Sequence, residues 1–205
     1  MTLDAAESPA TLLALARAGD PDALGRLLER YRHYLGVLAR VQIGRRLQRK
    51  VEEGDLVQET FLEAHRAFPR FRGESEGELV YWLRQILAAR IAMLVRHYFG
   101  TQRRNADLER ELVDDLDASS RLMAQAFVAS NTSPSMGAAR REQAVLLADA
   151  LARLSEDYRQ VITLRHLEGK TFPEVARDMG RSVDAVEKLW TRALVQLRRL
   201  LPAEE

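Results

Sequence analysis

The chain has 205 residues, of which 46% are hydrophobic and 30% charged, and this balance excludes a disordered or fibrous protein. It contains no cysteine, which excludes a disulfide framework and a thiolate zinc site, so the cytoplasm is the expected compartment. The net charge of +1 hides an uneven distribution, because residues 84–104 hold five arginines and no acid, whereas residues 105–135 hold six acids.

The first part of the chain is predicted to be helical. A short amphipathic helix over Thr11–Ala18 ends at Gly19, and Pro21 opens a helix that continues to Leu38. Further helices begin near Asp55 and near Glu76. No run of alternating residues indicates a strand. We therefore predict an all-α protein with two small helical domains, over residues 1–104 and 139–205, joined by a flexible, acidic, Ser-rich linker over residues 105–138.

Neither an export signal nor a membrane span is expected from the sequence. Asp4 and Glu7 interrupt the apolar run at the N-terminus, which is not expected of a signal peptide. The longest uncharged run, Leu122–Ala139, is rich in Ser, Asn and Pro, as expected of a linker and not of a membrane span.

One stripe of the helix that begins near Asp55 combines acids and an amide with an apolar neighbour. Asp55, Gln58, Glu59 and Leu62 follow one another at helical spacing. The stripe is interpreted either as a solvated face or as a docking surface for a basic partner.

The segment from Phe71 to Arg104 combines a Gly73 loop with a helix that carries aromatic residues and arginines. This composition is expected of a surface that binds phosphates and stacks bases. Trp82 is interpreted as a core residue in preference to a stacking platform, and Arg90 is expected to pair with an internal acid. Arg96, Arg103 and Arg104 are the candidates for phosphate contacts.

The linker over residues 105–138 has two interpretations, a solvating tether or an acidic mimic of nucleic acid inside a basic channel. Its Ser119, Ser120, Ser130 and Ser133 are predicted phosphorylation sites because the segment is expected to be exposed and flexible.

The segment "GKTFPEVARDMGRSVDAVEKLWTRALVQLRRL", residues 169–200, predicts two helices joined by a tight corner. Thr171 and Ser182 are expected to cap the two helices, and Gly180 to form the corner. The second helix has a packing face of Val183, Val186, Trp190, Ala193, Leu194 and Leu197 and an opposite face of Asp184, Lys188, Thr191, Val195 and Arg199. This pattern is typical of a DNA-binding helix-turn-helix, and a plain helical hairpin is the alternative.

The sequence resembles the extracytoplasmic function (ECF) group of bacterial sigma factors, within the sigma-70 family. The resemblance covers almost the whole chain and rests on "AGDPDALGRLLERYRHYL", then "DLVQETFLEAHRAFPRFRG" and "WLRQIL", and at the end "LARLSEDYRQVITLRHLEGKTFPEVARDMGRSVDAVEKLWTRALVQLRRLL". The linker stretch "SSRLMAQAFVASNTSPS" is similar to that of planctomycete-type members.

The resemblance implies a protein that is not an enzyme and needs no cofactor or metal. Its implied partners are core RNA polymerase, through the beta-prime clamp helices and the beta flap, and promoter DNA. The linker would thread toward the RNA exit path. An anti-sigma factor and a Ser/Thr kinase both stay open as regulators.

The resemblance also assigns roles to residues. The core-polymerase contacts would be Asp55, Leu56, Gln58, Glu59 and Phe61. The minus-10 element, with one base flipped into the loop 71–75, would be read by Phe71, Arg72, Gly73, Ser75, Trp82, Gln85, Arg96, Arg103 and Arg104. The minus-35 duplex would be read by Ser182, Asp184, Glu187, Lys188, Thr191 and Arg192.

Two positions depart from the family pattern. Arg90 stands where many members have Asn, and Glu187 places an acid where a basic or small residue is common; Glu187 would either accept from a cytosine amino group or turn inward. A stand-alone helix-turn-helix regulator is the alternative function. A nucleic-acid enzyme is disfavoured, because the histidines at positions 33, 65, 97 and 166 are scattered singly.

Overall fold

The computed structural model describes residues 7–44, 51–99, 105–125 and 137–201, and within these ranges the chain is helical with no strand. The all-α fold predicted from the sequence is confirmed. No helix in these ranges combines the length and the apolar character that a membrane crossing requires. The helices are α1 (Pro9–Arg17), α2 (Pro21–Glu29), α3 (Arg32–Gln42), α4 (Glu53–Ala67), α5 (Glu76–Phe99), α6 (Asn105–Gln125), α7 (Gly137–Ala152), α8 (Glu156–Ile162), α9 (Phe172–Met179) and α10 (Val183–Leu200).

The predicted helix from Pro21 to Leu38 is divided into α2 and α3. Its start is as expected, because the Asp20 carboxylate accepts the backbone N–H groups of Asp22 and Ala23 at 2.9 and 3.0 Å. The break lies at Tyr31, which is buried and donates its hydroxyl to Glu76 Oε1 at 2.8 Å. This contact with the start of α5 is tertiary, so the helical periodicity of α2 and α3 does not reveal it.

The helices α1 to α5 form a bundle whose core is built from leucine-rich faces. Burying each large aliphatic side chain stabilises the fold by about 1.5–3 kcal/mol. The fully buried side chains of this core include Leu27, Leu28, Leu35, Leu38, Leu56, Leu79, Leu83, Leu87 and Ile91. Because these inner faces are fixed, the opposite faces of α4 and α5 are left for contacts outside the bundle.

Residues 105–125, which were predicted to be flexible linker, form the helix α6. Leu108, Leu112 and Leu116 repeat every four residues and are buried, and α6 packs along α5 and α7. The polar side adds a further link, because Asp117 Oδ1 lies 2.6 Å from Arg84 Nε of α5. The structure therefore differs from the prediction here, since a strongly acidic composition masks an apolar stripe. Residues 126–136 lie outside the described residues.

The interpretation of Ser119 and Ser120 as exposed, flexible phosphorylation sites is wrong. The Ser119 side chain is only 2% exposed. Ser120 accepts a hydrogen bond from the Tyr34 hydroxyl at 2.8 Å, and Tyr34 in turn accepts one from Arg84 at 2.9 Å. Both serines are therefore part of the packing of α6 on α3 and α5. Ser130 and Ser133 lie outside the described residues.

The helices α7 to α10 pack directly on the helices α1 to α6, with α7 against α3 and α6. We call this the closed arrangement of the two groups. Buried residues of both groups belong to one continuous apolar core. Two polar contacts join α3 to the C-terminal helices: His33 Nδ1 lies 2.8 Å from Asp149 Oδ1, and Arg40 Nη1 lies 2.6 Å from Glu156 Oε1. The chain in this state is thus one compact body and not two separated domains.

Candidate nucleic-acid interface

The corner between α9 and α10 forms as the sequence predicts. Thr171 and Glu174 make a capping box at the start of α9, with Glu174 Oε2 accepting the Thr171 backbone N–H at 2.8 Å. Gly180 has φ +63°, the left-handed conformation that favours glycine, and ends α9. Ser182 Oγ accepts the Ala185 N–H at 3.3 Å and caps α10. Every device of this corner is local, which is why it is readable from the sequence.

The six side chains predicted to read a duplex all lie on the exposed surface of the α10 region: Ser182, Asp184, Glu187, Lys188, Thr191 and Arg192. Lys188 Nζ pairs with Asp184 Oδ2 at 2.7 Å, and the Thr191 hydroxyl donates to the Glu187 backbone carbonyl at 2.9 Å. Glu187 is exposed, so the alternative that it turns into the domain does not hold. A carboxylate here can accept a hydrogen bond from a base amino group.

The inner face of α10 is formed by Val186, Ala193 and Leu197, which are fully buried, as predicted. Val183 differs, because it is 39% exposed. Beside the apolar stripe, Trp190 Nε1 donates to His166 Nε2 at 2.9 Å, and the two rings stack with their centroids 5.8 Å apart. Burial lowers the pKa of His166, and the charge of Arg165 acts in the same direction. The imidazole that accepts from Trp190 is therefore the neutral form.

We expect a pH-dependent stability from His166. In the unfolded chain the imidazole has an ordinary pKa of about 6.5 and binds a proton at a pH where the folded chain does not. The stabilisation is therefore complete above about pH 6.5 and is lost as the pH falls toward the lowered folded pKa. Urea unfolding at pH values on both sides of this range should show a larger loss for the wild type than for His166→Gln. Equal losses in the two proteins would contradict this assignment.

The loop before α5 is built on an aromatic cluster. The Phe71 ring lies 4.8 Å from the Trp82 ring and 5.9 Å from the Phe68 ring, centroid to centroid. Phe71 and Trp82 are half-buried, so Trp82 packs within the protein, as its interpretation as a core residue expects. A Cβ at Gly73 would collide with the Phe71 ring, so the loop needs glycine for this close approach.

A single carboxylate closes the same loop. Glu78 Oε2 accepts the backbone N–H groups of Glu74 and Ser75, both at 3.0 Å, and the Ser75 hydroxyl at 2.8 Å. These hydrogen bonds, with the backbone N–H of Glu74 first, lower the pKa of Glu78. Arg72 and Ser75 are exposed. The loop is therefore a defined turn with polar groups on its outer surface.

The surface of α5 carries fewer free arginines than its sequence suggests. Arg90 Nη2 pairs with Glu63 Oε2 at 2.6 Å, so Arg90 has an acidic partner within the protein as predicted, although the Glu63 side chain is 39% exposed and not internal. Arg84 pairs with Asp117. Gln85 is exposed and Arg96 is half-buried. Arg103 and Arg104 lie outside the described residues.

Two exposed arginines beside the aromatic cluster were missed by the sequence interpretation. Arg66 and Arg70 flank Phe68, and with Arg72 they place three arginines and no acid in residues 66–72. The available signal was this short basic run next to aromatic residues. Phosphate contacts are the chemistry that such a run provides.

The predicted docking stripe on α4 is divided by the fold. Asp55, Gln58 and Glu59 are exposed, next to Leu62, whose side chain is 51% exposed. Leu56 and Phe61 instead lie in the core, at 1% and 8% exposure, so their assignment to a surface contact is corrected. They point inward because positions 56, 57, 60, 61 and 64 make the buried face of α4. No cluster of three metal-binding side chains occurs among the described residues.

Comparison with known protein families finds one match in the N-terminal half of the chain and one in the C-terminal half. The family "Sigma-70 region 2" matches residues 28–98, and "Sigma-70, region 4" matches residues 144–197. The chain is 32% identical to the ECF RNA polymerase sigma factor BldN of Streptomyces coelicolor over 93% of its own length and 65% of that protein. It is 29% identical to the ECF RNA polymerase sigma-E factor of Haemophilus influenzae over 89% of each chain. A solved structure of CnrH in complex with the cytosolic domain of CnrY shares 26% identity and covers 95% of this chain and 97% of that chain, with a TM-score of 0.37.

Both regions occur in the order and position that the sequence motifs predict, and the relatives match across both regions. The chain therefore belongs to the sigma-70 family and, within it, to the ECF group of RNA polymerase sigma factors. It spans just under two thirds of the length of BldN.

Proposed function

We propose that this protein binds core RNA polymerase in the cytoplasm and directs it to promoters with a minus-35 duplex and a minus-10 element. The observation that carries the proposal is that the two matched regions each present an exposed polar surface, on α10 and on α4 with the adjoining loop. The role is one of recruitment and recognition and involves no catalytic step by this chain. A stand-alone regulator would use α10 alone and leaves the region 2 match without a role.

Core docking is assigned to the exposed part of the α4 stripe, Asp55, Gln58 and Glu59. Two carboxylates and an amide on one helical face suit a partner surface rich in basic side chains. The neighbouring Leu62 supplies exposed apolar area at the same face. Leu56 and Phe61 support this surface from below by fixing α4 in the bundle.

The minus-10 element is assigned to the loop 71–75 and the exposed side of α5. Extruding a base costs a few kcal/mol, which contacts with the base and with phosphates must offset. Phe71 and Trp82 are the aromatic residues that pack beside this loop, and Gly73 allows the close approach of the Phe71 ring to the loop backbone. The candidates for contacts with the opened strand are Arg66, Arg70, Arg72, Gln85 and Arg96. The sequence adds Arg103 and Arg104, which lie outside the described residues.

The minus-35 duplex is assigned to α10. The N-terminal turns of the second helix of a helix-turn-helix enter the major groove, and this is where Ser182, Asp184, Glu187 and Lys188 lie. Thr191 and Arg192 extend the same surface by one turn.

An anti-sigma factor is the regulator we favour over a kinase, since the two described candidate serines, Ser119 and Ser120, are engaged in packing.

The proposal is tested by co-elution of the full-length protein with bacterial core polymerase, followed by run-off transcription from a genomic fragment library. A stoichiometric complex that starts transcripts at a shared two-part promoter is the expected result. Duplex binding without any association with core would contradict the proposal and return the α4 stripe to a solvated face.

Substitutions in the two surfaces should separate the two activities. We expect Asp55→Ala with Gln58→Ala to weaken core binding, because both side chains are exposed and distant in sequence from α10. The affinity for a minus-35 duplex should stay unchanged. Fluorescence anisotropy with labelled core and with labelled duplex measures the two affinities.

The matched control is the pair Lys188→Ala and Arg192→Ala. These variants should lower duplex affinity and its salt dependence, since each removes a cation from the α10 surface, and should leave core binding intact. If the α4 double variant lost DNA affinity and kept core binding, the assignment of the two surfaces would be wrong.

A further inference from the structure

The base-reading side chains of α10 require the helix to be held at one rotation about its own axis. A helix with its side chains has a radius of about 5–6 Å, so a rotation of about 10° moves the exposed tips by about 1 Å. Hydrogen bonds to base edges tolerate much less than that. The buried stripe of Val186, Ala193 and Leu197 anchors the helix, but apolar contacts are non-directional and define rotation only loosely.

Trp190 supplies the directional contact. Its indole N–H donates to His166 Nε2 at 2.9 Å, while the two rings lie at 20° to each other. The Phe172 ring meets the indole at 76°, with the centroids 5.4 Å apart. The indole is thus held by His166, which precedes α9, and by Phe172, the first residue of α9.

The residues behind this contact are themselves fixed. His166 lies in a π-helical turn, Thr163–Leu167, which the Glu168 N–H closes on the Thr163 carbonyl at 3.0 Å. The Arg165 guanidinium lies 5.0 Å from the centre of the Phe172 ring and donates to the Lys170 carbonyl at 3.2 Å. His166 and Phe172 therefore present a rigid seat for the indole.

Trp190 is also next to the reading residues in the chain. Thr191 and Arg192 follow it directly, and Lys188 precedes it by two positions, all three with exposed side chains. Within a continuous helix these residues cannot rotate independently of Trp190. Whatever fixes the indole fixes the direction in which these three side chains leave the helix.

We propose that His166 is a positioning residue for base recognition: by accepting the Trp190 N–H, its neutral imidazole sets the rotation of α10 and so the sequence preference of the minus-35 contact. The inference rests on the proposed reading of the minus-35 duplex by α10. It adds a residue that touches no DNA and acts through Trp190.

The test uses full-length wild type, His166→Phe and His166→Gln, each bound to bacterial core polymerase. His166→Phe keeps an aromatic ring for stacking and removes the acceptor, whereas His166→Gln retains a carbonyl acceptor. Each complex selects from a library of promoter duplexes randomised over the minus-35 window, and the selected pool is sequenced. The thermal midpoint of each protein is measured in parallel, and selection is run well below the lowest midpoint.

We expect His166→Phe to reduce the enrichment of the best minus-35 sequences about tenfold, the scale of one well-placed base contact, while His166→Gln stays within about threefold of the wild type. Total DNA retained, which phosphate contacts dominate, should change little. A lower thermal midpoint with an unchanged sequence preference would show a purely structural role and overturn the inference. Equal loss of preference in both variants would also overturn it, because the retained acceptor would then be without effect. Absence of any minus-35 preference in the wild type would instead refute the proposed reading by α10, and the inference with it.

Discussion

Cross-linking α3 to α7 across the closed arrangement is expected to abolish promoter-specific transcription. A chain of 205 residues packed as one body has a radius of gyration of about 17 Å. The minus-35 and minus-10 elements are separated by about 25 base pairs, or roughly 85 Å of straight duplex at about 3.4 Å per base pair. A compact body with this radius of gyration is about 45 Å across, which is shorter than the separation of the two elements. On the proposed function, in which one chain reads both elements, α7 to α10 must therefore leave α3 and α6 first.

The chain allows this experiment to be made cleanly because it has no cysteine of its own. His33→Cys with Asp149→Cys introduces a single pair at an exposed contact between α3 and α7, away from the α4, loop and α10 surfaces. A short bismaleimide joins the two thiols. Run-off transcription with core polymerase is then expected to fall to background.

The same double variant treated with N-ethylmaleimide is the matched control, because both thiols are modified and the helices stay unlinked. This control should transcribe like the wild type. If the cross-linked protein transcribed from a two-part promoter as well as the capped protein, then either the two elements are not read by the two groups of helices or the closed arrangement need not open.

A large loss of stability is expected from Leu112→Ala in α6. The side chain is fully buried between α6 and its neighbours, and truncating such a leucine costs about 2–5 kcal/mol of the free energy of unfolding. The reason for the size is that the surrounding core only partly collapses into the space that the side chain leaves. Urea unfolding followed by circular dichroism measures the change.

Leu122→Ala on the same helix is the control, because its side chain is 43% exposed. Its free energy of unfolding should stay within about 0.5 kcal/mol of the wild type. Similar, small effects for both substitutions would mean that α6 behaves as the flexible linker that its composition suggested, and would contradict its packing on α5 and α7.

The parts of the interface that were predictable are those controlled by local contacts. The corner of the helix-turn-helix was predictable because its capping residues Thr171, Gly180 and Ser182 make hydrogen bonds or turns within a few residues of their own position. The exposed face of α10 also follows from its own periodicity. Even the pairing of Arg90 with an acid was inferred, from its closeness to the core face of α5, although Glu63 was not identified as the partner.

The parts that were not predictable depend on partners distant in the chain. The chain breaks between α2 and α3 at Tyr31, whose hydroxyl donates to Glu76, 45 residues away. Arg84 belongs to the arginine-rich segment 84–104, but it pairs with Asp117, an acid of the segment that was predicted to be linker. The leucines of α6 are spaced for packing, but six acids between residues 105 and 135 dominate the composition.

The sequence by itself determined the helical class of this protein, the order of its two regions and the polar faces of α4 and α10, because periodicity and capping act within a few turns of one helix. Only the tertiary structure decided that α6 is a packed helix, that Leu56 and Phe61 support the α4 surface from inside, and that His166 receives the Trp190 indole. These three outcomes depend on which faces meet across the chain, and burial and hydrogen bonding between distant residues exist only once those faces have come together.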